Sequence, residues 1–106
     1  MDLNLDCIAV ENNEAAQRFE ADIDGHLALL TYRRFPSRIS LDHTEVPMPF
    51  QGRGLGAKLA RAALEFARAN HLRVVPLCPY VASYLGKHPE YQDLLSPDDR
   101  QRILSR

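Results

Sequence analysis

Six residues in the middle of the chain, Gln51-Gly52-Arg53-Gly54-Leu55-Gly56, have the composition of a cradle for an anion. Glycine lets a backbone turn tightly and approach a phosphate closely, because no Cβ stands in the way. A helical apolar pattern starts at Leu55. The unpaired amides of a helix start therefore point into the same space, and the helix dipole favours an anion there. Arg53 and Lys58 bring positive charge to the loop, and Ala57 completes the first turn. No Gly-Lys-Ser/Thr follows, so this is not a Walker loop, and the full dinucleotide fingerprint is absent too. The bland alternative is a tight turn that only opens a helix.

Two further groups could do chemistry. Cys78 directly precedes Pro79, a residue suited to the first position of a helix. A thiol at a helix N-terminus is favoured as thiolate, whereas the alternative role is a small buried hydrophobe. His43 and Glu45 are two apart on a strand and so share one face. Histidine exchanges protons near neutrality, although both residues could equally form an exposed polar strand end. His88 and Glu90 do not extend to a metal-ligand spacing, so no metal is expected.

The elements that must position these residues follow from periodicity. Apolar and charged residues alternate over Phe19–Ile23, the mark of a half-buried strand, and Asp24-Gly25 follows as a hairpin turn. Leu27–Tyr32 is nearly apolar throughout, which predicts a strand covered on both faces. A turn near Pro36-Ser37 leads to a strand over Arg38–Val46, and a short opening strand is expected at Cys7–Val10. These strands form an antiparallel meander. From Leu55 the apolar residues recur at Leu59, Ala62, Ala63, Phe66 and Ala67, one face of a helix. Arg61 and Glu65 on its outer side are spaced to pair, and Asn70 is the expected left-handed cap. Arg73–Cys78 reads as a strand reached by a parallel crossover, splayed at Pro76, with a short helix from Pro79 to about Leu85. The polar tail ends in one last helical turn capped by Ser96.

The 106 residues fit one domain over 1–106, with a core at about 8–95. A net charge of -1 gives no reason to expect nucleic-acid binding, although Arg53, Lys58, Arg61 and Arg68 cluster locally. No apolar run is long enough to span a bilayer, so no membrane association is expected. Met1–Asp6 is acidic and lacks the basic start of a signal peptide, and Cys7 and Cys78 are far apart. A reduced, cytoplasmic protein with free thiols is the expected context.

Gln51-x-x-Gly54-x-Gly56 resembles the Gln/Arg-x-x-Gly-x-Gly/Ala motif by which the GNAT superfamily of N-acetyltransferases holds the pyrophosphate of acetyl-coenzyme A. The order of antiparallel strands, motif, long helix, strand and short helix is similar to that family as well. His43-Thr44-Glu45-Val46, Gly52–Gly56, Val75–Tyr80 and His88-Pro89-Glu90-Tyr91 together resemble a compact GNAT-like subgroup, over roughly Ile8 to Leu95.

The resemblance implies an α+β fold: a GNAT-like mixed sheet of antiparallel N-terminal strands, a motif helix, a parallel strand and a short C-terminal helix. It implies that Gln51, Gly52, Arg53, Gly54, Leu55, Gly56, Ala57 and Lys58 bind coenzyme A. The acyl group then lies where the strand before the motif diverges from the strand after the helix. Cys78, His43 and Tyr84 become the catalytic candidates: a thiol beside the thioester, a base for the amine, and an acid for the leaving thiolate. Tyr80 is a neighbouring alternative to Tyr84, because the usual downstream Gly-Phe is replaced by Gly86-Lys87-His88-Pro89. The segment from Val10 to Phe19 leaves room for a turn or two, where larger GNAT enzymes place two acceptor-holding helices. The implied activity is acetyl transfer from acetyl-coenzyme A to an unidentified amine, by a monomer. A non-catalytic acyl-coenzyme A-binding module is the alternative, and a structural domain binding another anion is the third.

Overall fold

The computed structural model describes residues 7–105; the acidic opening Met1–Asp6 lies outside them. Strands β1 (Glu11–Asn13), β2 (Arg18–Ile23), β3 (His26–Arg34) and β4 (Arg38–Glu45) run antiparallel in chain order, and β5 (Arg73–Pro76) adds parallel to β4. Helix α1 (Leu55–Ala69) makes the β4-to-β5 crossover, followed by α2 (Pro79–Lys87) and α3 (Pro97–Leu104). This is the mixed α+β sheet expected from the sequence.

Alternation decides which faces are buried. Phe19, Ala21 and Ile23 of β2, and Ala28, Leu30 and Tyr32 of β3, point to α1. There Phe66 meets the Phe19 ring at 5.7 Å and the Tyr32 ring at 6.3 Å. Leu59, Ala63, Leu64 and Ala67 of α1 complete this layer with Ile39, Leu41 and Val74 of the sheet. Each fully buried leucine or isoleucine contributes roughly 1.5–3 kcal/mol.

The other face of β3 departs from expectation. Leu27 is 37% exposed, and Leu29 and Thr31 are only half-buried. A covered second face needs a second layer, and the β1–β2 connection is only a turn at residues 14–17.

Four other local expectations are corrected. The opening strand forms at Glu11–Asn13, not Cys7–Val10, because its register follows the next turn. That turn is fixed by the Ala16 amide donating to Asn13 Oδ1 at 3.1 Å and by Gln17 at φ 53°. At the end of α1 the left-handed residue is His71 (φ 54°), whereas Asn70 has φ -103°. The Leu72 amide donates to Ala67 O and the His71 amide to Arg68 O, a Schellman closure with histidine where glycine is usual. Arg61 and Glu65 lie near the Tyr91 phenol, and among the described residues they form no ion pair with each other. The tail is more ordered than one turn: a 3-10 segment spans Pro89–Leu94, and α3 buries Ile103. Ser96 does cap α3, its Oγ accepting from the Asp99 amide at 3.1 Å.

Parallel pairing of β4 with β5 ends at Leu41↔Pro76. Proline has no amide to continue the ladder, so Asp42–Glu45 runs on beyond the β5 pairing and the two chains part. Leu95 then bridges to Val74 on the far side of β5.

Candidate functional site

The parting of β4 from β5 opens directly onto the start of α1. The intervening loop turns at Gly52 (φ 75°) and Gly54 (φ 89°), a left-handed region that disfavours any residue with a Cβ. Gly54 is the N-cap of α1, which has neither a capping side chain nor an acidic residue in its first turn. The first intrahelical bond is from the Lys58 amide to Gly54 O at 3.0 Å. The amides of Leu55, Gly56 and Ala57 precede it. They form the positive end of the helix dipole, and no acidic residue stands in the first turn.

A cleft of about 360 Å³ lies against these amides, lined by Thr44, Val46, Phe50, Gln51, Gly54 and Tyr80, among others. Its far wall depends on Gly56. A Cβ there would lie 2.8 Å from Tyr80 Cζ and 2.9 Å from its hydroxyl, so the tyrosine ring rests directly on the helix backbone. Burial raises the Tyr80 phenol above its ordinary pKa, with Tyr84 and Cys78 adding in the same direction. The hydroxyl stays protonated and able to donate at neutral pH.

Cys78 is the N-cap of α2 and only 3% exposed. Its amide donates to Leu41 O at 2.9 Å, which fixes it at the point of divergence. Its Sγ lies 3.4 Å from Thr44 Oγ1, and either atom can donate. Thr44 is opposite Leu30 on the α1 side of the sheet, while His43, opposite Thr31, projects from the other side. His43 Nε2 and Glu45 Oε1 are 3.6 Å apart, both well exposed. At the parting, Thr44 of β4 thus meets the Cys78 thiol at the start of α2, near the Tyr80 phenol, while imidazole and carboxylate project from the other side of β4.

The remaining candidates divide in the same way. Gln51 Nε2 donates to Val46 O at 3.0 Å and ties the loop to the end of β4. Lys58 donates to Ile8 O, so its ammonium lies toward the opening segment. Arg53 is exposed on the loop. Tyr84 does not line the cleft: its ring stacks on His88 at 3.9 Å, near Arg61 and Tyr91. The tyrosine at the cleft is Tyr80. Thr44 carried no role in the sequence reading, although strand alternation already sets it opposite to His43 and Glu45. Among the described residues no group of three His, Cys, Asp or Glu could hold a metal, and no helix is long and apolar enough to cross a membrane.

The helix start, the two left-handed glycines and the adjoining cleft form one open site. Comparison with known proteins identifies the family to which this fold belongs. The model of the GCN5-related N-acetyl-transferase family matches residues 18–94. Protein NATD1 of Mus musculus is 35% identical over 95 residues, covering 85% of this chain and 86% of the relative. Protein NATD1 of Homo sapiens shows the same identity, covering 85% and 84%. A solution structure of a GCN5-like protein from Staphylococcus aureus, described as a candidate N-acetyltransferase, superposes with a TM-score of 0.61 at 31% identity. That match covers 83% of this chain and 87% of the other. The match over the sheet, the glycine loop and the two helices that flank the cleft makes this chain a member of the GCN5-related N-acetyltransferase family.

Proposed function

We propose that the protein transfers an acetyl group from acetyl-coenzyme A to an amine. The observation that carries this reading is the uncapped N-terminus of α1, opened by Gly52 and Gly54 onto the cleft beside the β4–β5 divergence. The pyrophosphate takes the amides of Leu55–Ala57, and the pantetheine arm runs toward Thr44 and Cys78. Acetyl-coenzyme A supplies an activated thioester; the amine nitrogen bonds to its carbonyl carbon and the carbon–sulfur bond breaks. Tyr80, held protonated, donates to the departing thiolate. His43, with Glu45 beside it, takes the proton lost by the amine from the open side of the sheet. Cys78 lies behind Thr44 at the thiol end of the cleft.

A second reading, a binding module without turnover, is favoured by the uncovered sheet face and by the short β1–β2 turn, which supply no acceptor-holding layer. Two measurements separate them. Titration calorimetry with coenzyme A should show binding that Gly54→Val weakens at least tenfold, about 1.4 kcal/mol. Thiol release from acetyl-coenzyme A, followed over a panel of amines, should depend on Tyr80. Unchanged affinity in Gly54→Val overturns the pyrophosphate site; binding without release for any amine leaves the module.

A further inference from the structure

A second concave surface lies at the other end of α1, about 20 Å from the glycine loop at 1.5 Å per helical residue. It is a groove of about 580 Å³ lined by Ser37, Arg38, Arg68, His71, Arg73 and Asp93, among others. We propose that this groove is a binding site for an oxyanion of phosphate type, separate from the coenzyme A cleft and independent of the acetyltransferase reading.

The argument starts from strand register. Arg38 and Arg73 are paired Cα partners at the start of the parallel β4–β5 ladder. Their side chains leave the same face of strands about 4.8 Å apart. Like charges at neighbouring strand positions repel. Among the described residues, neither arginine has a carboxylate within ion-pair reach. The one carboxylate in the groove, Asp93, is already taken: Arg68 Nη1 and Nη2 each donate to it at 3.0 Å. Among the described residues, two guanidinium groups therefore line one groove with no free carboxylate between them.

Both are held rather than loose. Arg38 lies over the Phe35 ring at 4.2 Å, which covers one guanidinium face and leaves the edge donors available. Arg73 Nη1 donates to Leu95 O at 3.3 Å, and its amide donates to Ser37 O at 3.0 Å, clamping the two strand starts together. His71 enters the same groove from a left-handed backbone position that costs a non-glycine residue energy. Both guanidinium forks line the one groove, and each planar fork can pair with two oxygens of a tetrahedral oxyanion.

The test uses the full chain in phosphate-free buffer, with and without saturating coenzyme A, titrated with inorganic phosphate and separately with O-phosphoserine. Amide shifts read by heteronuclear NMR should move saturably at Ser37, His71, Leu72 and Arg73, whether or not coenzyme A is present. Arg38→Gln with Arg73→Gln should weaken that binding at least tenfold. Tighter binding of phosphoserine identifies an esterified phosphate as the ligand; equal binding identifies the free ion. Shifts confined to Gly52–Ala57, shifts that never saturate, or an unchanged titration in the double variant would overturn the proposal. If the double variant fails to fold, each single variant carries the same comparison.

Discussion

Replacing Gly56 with alanine tests whether Tyr80 is held on the backbone of α1. The added Cβ would meet Tyr80 Cζ at 2.8 Å and Cε1 at 3.1 Å, against 3.5–4.0 Å for relaxed carbon contacts. The ring must therefore retreat by about 0.7 Å or swing out. Tyr80 is 43% exposed, so it has room to move, and the retreat costs about 1 kcal/mol, the low end for overpacking. Alanine in place of a helical glycine returns roughly 0.5–1 kcal/mol. The single variant should thus unfold within about 1 kcal/mol of the wild type, a result that by itself says little. The informative experiment is the cycle with Tyr80→Ala, followed by urea denaturation of all four proteins. With the ring removed, Gly56→Ala should become stabilising by about 0.5–1 kcal/mol, a coupling of about 1 kcal/mol between the sites. A coupling below about 0.3 kcal/mol, the usual error of additivity, would refute the contact.

Three other outcomes follow from local geometry. His71→Gly relieves the left-handed position that closes α1 and should raise stability by up to about 1 kcal/mol, read by urea midpoint. Arg68 holds the Asp93 carboxyl below its ordinary pKa, with slight burial opposing. A lowered carboxylate pKa stabilises the fold above the unfolded value and loses that contribution as pH falls through the folded one. Asp93→Asn should therefore be less stable than the wild type at neutral pH, and the two should converge as pH drops below about 4. Cys7 is exposed and Cys78 buried, so brief iodoacetamide treatment should label Cys7 first by mass spectrometry. Equal rates would mean that the Cys78 enclosure opens freely.

Helix α1 was legible because its apolar stripe is strong, and the glycine loop because its special backbone requires a special residue. Asp24 (φ 52°) and Gly25 (φ 82°) form the hairpin turn that their identities imply. What escaped the sequence were outcomes of competition between distant groups. Asn70 and His71 both tolerate a helix end, and only docking of Leu72 into the core selects His71 as the left-handed residue. Arg61 and Glu65 have the spacing of a pair, but no ion pair forms among the described residues, and the Tyr91 phenol, far along the chain, lies near both. Tyr80 and Tyr84 lie one helical turn apart on α2, and the missing side chain of Gly56 decides which of them reaches the cleft. Lys58 sits among the loop cations in sequence, yet its length lets it reach the Ile8 carbonyl.

The bridge from Val74 to Leu95 makes the tail a guard for the rim of the sheet. An open outer strand offers unpaired amides and carbonyls to any passing extended chain, and so invites self-association. On the opposite rim, β1 is only three residues of Glu-Asn-Asn, too short and too polar to recruit a partner. On this rim the protection is supplied in cis: Pro76 ends β5 after four residues, Leu95 occupies the outward position beside Val74, and α3 follows directly. The polar C-terminal segment, which carries none of the cleft residues, thereby bears on whether the protein stays dispersed at high concentration.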